Sequence, residues 1–268
     1  MKAEKRVLAE LNRCYSVAPL YYQGEMHFLV ASETADKCIL FDEEGNQRDV
    51  IWEGPGGVMT MVRVPGTDGQ FLATQKFYSP DDSKEAEIAV VTPRGRGDWE
   101  IRTLAKLPFV HRFDILERDG IRYLIACTLK SGHEYEGDWS APGKVYTAIL
   151  PEDLSSFSEN ALLKPEVQME GMLKNHGYYR VEENGTGTAL ISADCGVFQF
   201  IPPKKGEDWE IRRLIPDAAS DAVLVDLDQD GERELAVIAP FHGDTIRIYK
   251  NISGSYQPVY AYGKKKEF

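Results

Sequence analysis

Along this chain the apolar residues come in short runs broken by Gly-, Asp- and Asn-containing turns, the pattern of β-strands joined by tight turns. Four stretches share one form, a strand, an x-Gly turn and a second strand: CYSVAPLYYQGEMHFLVAS (14–32), VMTMVRVPGTDGQFLATQ (58–75), VHRFDILERDGIRYLIACT (110–128) and HGYYRVEENGTGTALISA (176–193). Each is followed by two further strand-like runs. In the second and fourth units the last run repeats almost literally, as Asp98-Trp99-Glu100-Ile101-Arg102 and Asp208-Trp209-Glu210-Ile211-Arg212. A fifth unit, residues 221–251, has strands at Val223–Leu227, Leu235–Ala239 and Thr245–Tyr249, and SYQPVYAYG (255–263) completes it.

Four strands recurring about every 45–55 residues are the signature of a β-propeller. The expectation is therefore an all-β chain, one five-bladed propeller of four-stranded antiparallel blades. Its blades run roughly 14–57, 58–109, 110–175, 176–220 and 221–268. Residues 4–13 are spaced like the outer strand of a blade, so they are expected to pair beside blade five and close the ring, which removes an exposed edge. A short amino-terminal helix is the alternative for MKAEKRVLAEL. Residues 151–172 break the period and read as an inserted loop before the outer strand of blade three. Trp99 and Trp209, at the same place in two units, read as blade-packing residues.

In the fifth unit an apolar strand leads into Asp226, Asp228, Asp230 and Gly231, and then into a hydrophobic strand. This segment resembles the FG-GAP/VCBS repeat, a propeller blade unit built as an apolar strand, D-x-D-x-D-G and a second strand. The resemblance implies a structural calcium held by Asp226, Asp228, Asp230 and Glu234, with Glu234 standing where the family usually has Asp. Spacing at i, i+2, i+4 and i+8 can bring these carboxylates onto one hard cation. The bland alternative is a solvated turn in which Asp caps its own backbone.

A formal net charge of −12 argues against a nucleic-acid partner, because phosphate binding needs a basic face. No apolar run approaches the roughly 18 residues needed to span a bilayer, and no membrane partner is expected. The charged amino terminus lacks the apolar core of a secretion signal, and Cys14, Cys38, Cys127 and Cys195 are widely spaced. The reading is a cytoplasmic protein with free thiols; a secreted origin remains the alternative if a leader has been removed.

Candidate chemistry gathers on one face of the expected ring. His111 and His176 fall at the same position of units three and four, at the entry of the innermost strand, and His242 lies in a loop emerging on that face. Arg112, Lys76, Tyr78, His133, Glu134, Tyr135, Trp139, Asp194 and Asp244 lie nearby as candidate ligand-binding residues. Converging imidazoles suit zinc or a similar transition metal, and equally serve as acid and base near neutral pH. Trp139, in a long loop, suits stacking on a sugar. Three functions remain: a lyase, dehydratase or isomerase acting on a small carbohydrate-like substrate through His111, His176, His242 and Arg112; a non-catalytic sugar-binding module; and a protein-interaction scaffold. A two-carboxylate glycosidase using Asp114, Asp194 or Glu134 is a weaker variant of the first.

Overall fold

The computed structural model describes residues 4–263, and among them every regular element is a β-strand. Five antiparallel sheets follow in chain order, each pairing its strands in sequence. Sheet one is β1 (Cys14–Tyr22), β2 (Glu25–Ser32), β3 (Cys38–Asp42) and β4 (Gln47–Trp52). Sheet two is β5 (Met61–Arg63), β6 (Phe71–Gln75), β7 (Glu87–Gly95) and β8 (Asp98–Lys106). Sheet three is β9 (Val110–Arg118), β10 (Ile121–Thr128), β12 (Ala141–Leu150) and β13 (Glu166–Met172), with the short β11 (Lys130–Gly132) added beside β12. Sheet four is β14 (Gly177–Glu183), β15 (Thr186–Ala193), β16 (Gly196–Ile201) and β17 (Glu210–Ile215). Sheet five is β18 (Asp221–Val225), β19 (Glu234–Ala239), β20 (Thr245–Ile252) and β21 (Ser255–Gly263).

The turns explain the hairpins. Gln23-Gly24, Asp119-Gly120, Asn184-Gly185 and Ser253-Gly254 all have positive φ at both residues, the primed geometry whose twist matches the flanking strands. The insertion is a loop over residues 151–165, and the outer strand of the third unit starts at Glu166.

The chain divides into two compact units. The first holds residues up to 111 together with 153–164; the second holds 112–152 and 165 onward. In the first, Leu20, Leu29, Phe71 and Val91 are fully buried between sheets one and two, and Trp99 packs on Tyr22 at 5.2 Å. The loop 153–164 joins it through the Leu163 amide, which donates to the Leu104 carbonyl at 2.8 Å. In the second, one core of Leu116, Ile125, Ile191 and Phe200 lies between sheets three and four, with Trp209 edge-on to Tyr123 at 5.6 Å. Another core, with Val197, Leu235 and Val237, lies between sheets four and five. Both repeated tryptophans are thus sheet-to-sheet packing residues.

The expected closing strand is not formed. Residues 4–11 are neither strand nor helix; Arg6 donates to the Glu44 carbonyl at 2.8 Å, at the β3–β4 turn of sheet one. Glu4, Lys5, Arg6 and Glu10 deny this segment the alternating apolar face a strand needs. Among the described residues β21 pairs with β20 alone. Ile238, Ile246 and Tyr262, level with one another across β19, β20 and β21, are exposed.

Candidate functional site

A cluster of polar and aromatic side chains forms within the second unit. Its centre is His176, whose Nδ1 lies 3.1 Å from Oδ2 of Asp221, the first residue of β18. Gly177 makes this approach possible. A Cβ there would stand 2.5 Å from the Ser220 carbonyl oxygen and 2.8 Å from the Asp221 Cα, so only glycine lets the start of β14 press against the start of β18.

His242 comes from the β19–β20 connection. The Gly243 amide donates to the Pro240 carbonyl at 2.7 Å, closing a turn in which His242 takes φ 51°. A left-handed conformation at a residue with a Cβ costs about 1–2 kcal/mol. The turn stacks the imidazole on Phe241 at 4.1 Å and sets it perpendicular to His176, with ring centroids 5.1 Å apart. One side of His242 remains open to solvent. Its packed side and the neighbouring His176 push its pKa below the usual histidine value, against an opposing pull from Asp221.

Around this pair stands an aromatic and charged wall. Trp139 meets Phe241 edge-on at 5.4 Å, and Phe241 meets His176 at 5.5 Å. Lys174 Nζ lies over the Phe241 ring at 5.5 Å and 3.2 Å from Asp194 Oδ2. The other carboxylate oxygen of Asp194 is buried without a hydrogen-bond partner among the described residues. Lys130, fully buried, donates to the Asp138 carbonyl at 3.0 Å and places its ammonium 4.9 Å from the centre of the Trp139 ring. The Asp138 carboxylate accepts the amides of Glu134 and Ser140, which hold its pKa below the usual range and fix the loop presenting Trp139.

Of the residues singled out in the sequence, His176, His242, Trp139 and Asp194 come together. His111 belongs to the first unit, where it is buried and edge-on to Phe77 at 5.1 Å. Lys76 also lies there, paired with the buried Glu87 at 2.6 Å, as does Tyr78, whose amide donates to the Asp82 carbonyl. Glu134, Tyr135 and Asp244 are exposed, and His133 and Arg112 are half-buried. Asp114 is buried away from this chemistry: it accepts the Tyr178 hydroxyl at 2.9 Å, and burial raises its pKa. The sequence reading missed Asp221, Phe241, Lys174 and Lys130 as site residues. Three of them left a signal, because Asp221 neighbours the aligned inner-strand position, Phe241 precedes His242, and Lys174 lies two residues before His176.

The acidic loop of sheet five is a second polar centre. Among the described residues only Asp226, Asp228 and Glu234 bring three candidate metal-ligand atoms within 4.8 Å of one another. The Glu234 carboxylate is buried and accepts the Leu227 amide at 2.8 Å, and Asp226 accepts the Gly231 amide at 3.1 Å. Lys250 projects into the same loop. Its ammonium lies 2.6 Å from Asp228, 2.7 Å from Asp230 and 3.3 Å from Glu234, and these contacts raise its pKa.

No protein-family model matches the chain, and no curated protein sequence matches it. Solved structures do. The Dos1 propeller superposes with a TM-score of 0.55 at 8% identity, over 90% of this chain and 57% of its own. The propeller domain of Cps50 (Swd1) from Myceliophteria thermophila does so with 0.52 at 10% identity, over 96% and 74%. A luciferin-regenerating enzyme gives 0.51 at 12% identity, over 94% and 77%. The neighbours thus include an enzyme as well as propellers whose names carry no activity. At these identities the likeness is one of fold, and the fold is that of β-propellers.

Proposed function

We propose that this chain binds a small carbohydrate-like ligand at the His176–His242–Asp221 cluster and transforms it by proton transfer, in the manner of a lyase, dehydratase or isomerase. The observation that carries this reading is the Asp221–His176 contact with a second imidazole set perpendicular beside it. A carboxylate on Nδ1 favours the tautomer in which Nε2 carries the basic lone pair. In the reaction, Nε2 of His176 accepts a proton from a substrate carbon while Asp221 faces the imidazolium that forms. The same proton then returns to a departing hydroxyl, which leaves as water, or to the neighbouring carbon. No further reactant is needed. His242, with its pKa lowered, is the neutral partner; two like groups in two environments are how acid and base roles separate.

This acid–base reading takes the Asp221–His176 contact as the device that orients the imidazole. The aromatic wall supports a second reading, a sugar-binding module without turnover, because Trp139 and Phe241 meet edge-on.

Calorimetric titration of keto- and uronic sugars into wild type, Trp139→Ala and His176→Ala, with parallel product analysis, tests both. Turnover lost in His176→Ala with binding retained supports the enzyme. Binding lost in Trp139→Ala with no turnover in wild type supports the module. No sugar bound by wild type ends both readings.

A further inference from the structure

The resemblance of the sheet-five loop to calcium-holding repeats meets a disagreement in its own geometry. A calcium ion takes six to eight oxygens at about 2.3–2.6 Å. Here the centre of the carboxylate group is filled by a side chain of the same protein. Tyr249 pairs with Leu235 across β19 and β20, which brings the next residues, Lys250 and Glu234, level at the mouth of the loop. The lysine then contacts three carboxylates, at 2.6, 2.7 and 3.3 Å, the range of charge-assisted N–H···O bonds. An ammonium has three donors, and three acceptors take them. We propose that Lys250 is the resident cation of this loop, so that the Asp226–Glu234 turn holds its shape without calcium and the wild-type protein does not respond to it.

Charge supports the assignment as well as distance. Asp226, Asp228, Asp230 and Glu234 place four carboxylates within nine residues, with Glu234 almost wholly buried, and such a group needs a counter-charge to stay folded. Lys250 supplies one positive charge from inside the sheet. Asp226 Oδ1 alone remains buried without a donor, so one acceptor is unspent when the ammonium is in place. Removing the ammonium while keeping its methylenes leaves Asp228, Asp230 and Glu234 without their counter-charge and the loop open to a divalent ion.

The test compares wild type with Lys250→Met by thermal unfolding in EDTA and in about 10 mM calcium chloride, above the weakest range for extracellular calcium modules. Calorimetric titration of calcium chloride into each accompanies it. The expected result is a wild-type Tm that is the same in both buffers and no stoichiometric heat. Lys250→Met should show a lower Tm in EDTA, a rise with calcium and a new binding isotherm. A wild-type protein that binds one calcium, with a Tm gain that EDTA reverses, overturns the proposal. So does a Lys250→Met protein whose Tm matches wild type with and without calcium. Should Lys250→Met fail to fold, the wild-type titration decides by itself.

Discussion

The two ends of the β18–β19 hairpin are built on opposite principles. At the loop end, Asp226, Asp228, Asp230, Glu234 and Lys250 all come from within one sheet, and the contacts they make with one another stay inside it. At the other end, Asp221 receives His176 from the chain entering sheet four, while His242 meets His176 and Phe241 meets Trp139 from the β11–β12 connection. One end is a motif that offsets part of its own charge within one sheet. The other assembles from distant segments and leaves nitrogen, carboxylate and aromatic surface for something else to meet. The same strands carry both, so a local acidic series marks a turn, and the chemistry gathers where sheets abut.

The comparison breaks most severely at Gly177. Gly177→Ala forces a Cβ into the Ser220 carbonyl and the Asp221 backbone. Overpacking of this kind costs about 1–3 kcal/mol. It should lower the denaturation midpoint and part His176 from Asp221, while the sheet-five loop keeps its Lys250 contacts. Nitrogen-15 spectra of the imidazoles and of the Lys250 ammonium report the two ends separately; equal disturbance of both would refute the separation drawn here.

Asp221→Asn is milder. It keeps the shape and removes the charge facing His176, so stability should stay within about 1 kcal/mol of wild type, as for most half-exposed positions. The His176 tautomer balance should nevertheless shift in nitrogen-15 spectra, and any turnover should fall by an order of magnitude or more, since mis-set tautomers are costly. Unchanged imidazole spectra would show that the carboxylate does not orient the ring.

Acid gives the smallest and finest contrast. His242 has a lowered pKa in the folded protein, so the unfolded chain binds its proton more readily. Its contribution is whole above the usual value of 6.5 and is lost as pH falls through the lowered folded value. Asp230 is also lowered, chiefly by Lys250; its contribution is present above 3.8 and is lost as pH falls through its own folded value. Urea midpoints between pH 8 and pH 3 should therefore show a slight early decline that His242→Gln removes, and a later one, shared with Asp138, that Asp230→Asn reduces. An early decline that survives His242→Gln assigns it to another group.

How much of this was legible in the sequence follows from the range of the interactions. The Asn184-Gly185 and Asp119-Gly120 turns, with alternating apolar runs on either side, specify hairpins because turn geometry and strand period act within about ten residues. The repeated Asp-Trp-Glu-Ile-Arg marked equivalent strands for the same reason, and the strands stand where the pattern put them. Closure of the ends was not legible. Whether residues 4–13 pair with a distant edge depends on where Arg6 finds an acceptor, and it finds the Glu44 carbonyl.

The sequence by itself determined an all-β chain of repeated four-stranded units, a polar turn at Asp226–Gly231 and a histidine at each of two aligned strand entries. Only the tertiary structure decided that His176 would meet Asp221 and His242, that His111 would pack on Phe77, and that Lys250 would stand among the acidic loop's carboxylates. Local period and turn chemistry fix strands, because each is settled between near neighbours. A site is settled by which faces pack and how closely, and at Gly177 that depended on the space left by one missing methyl group.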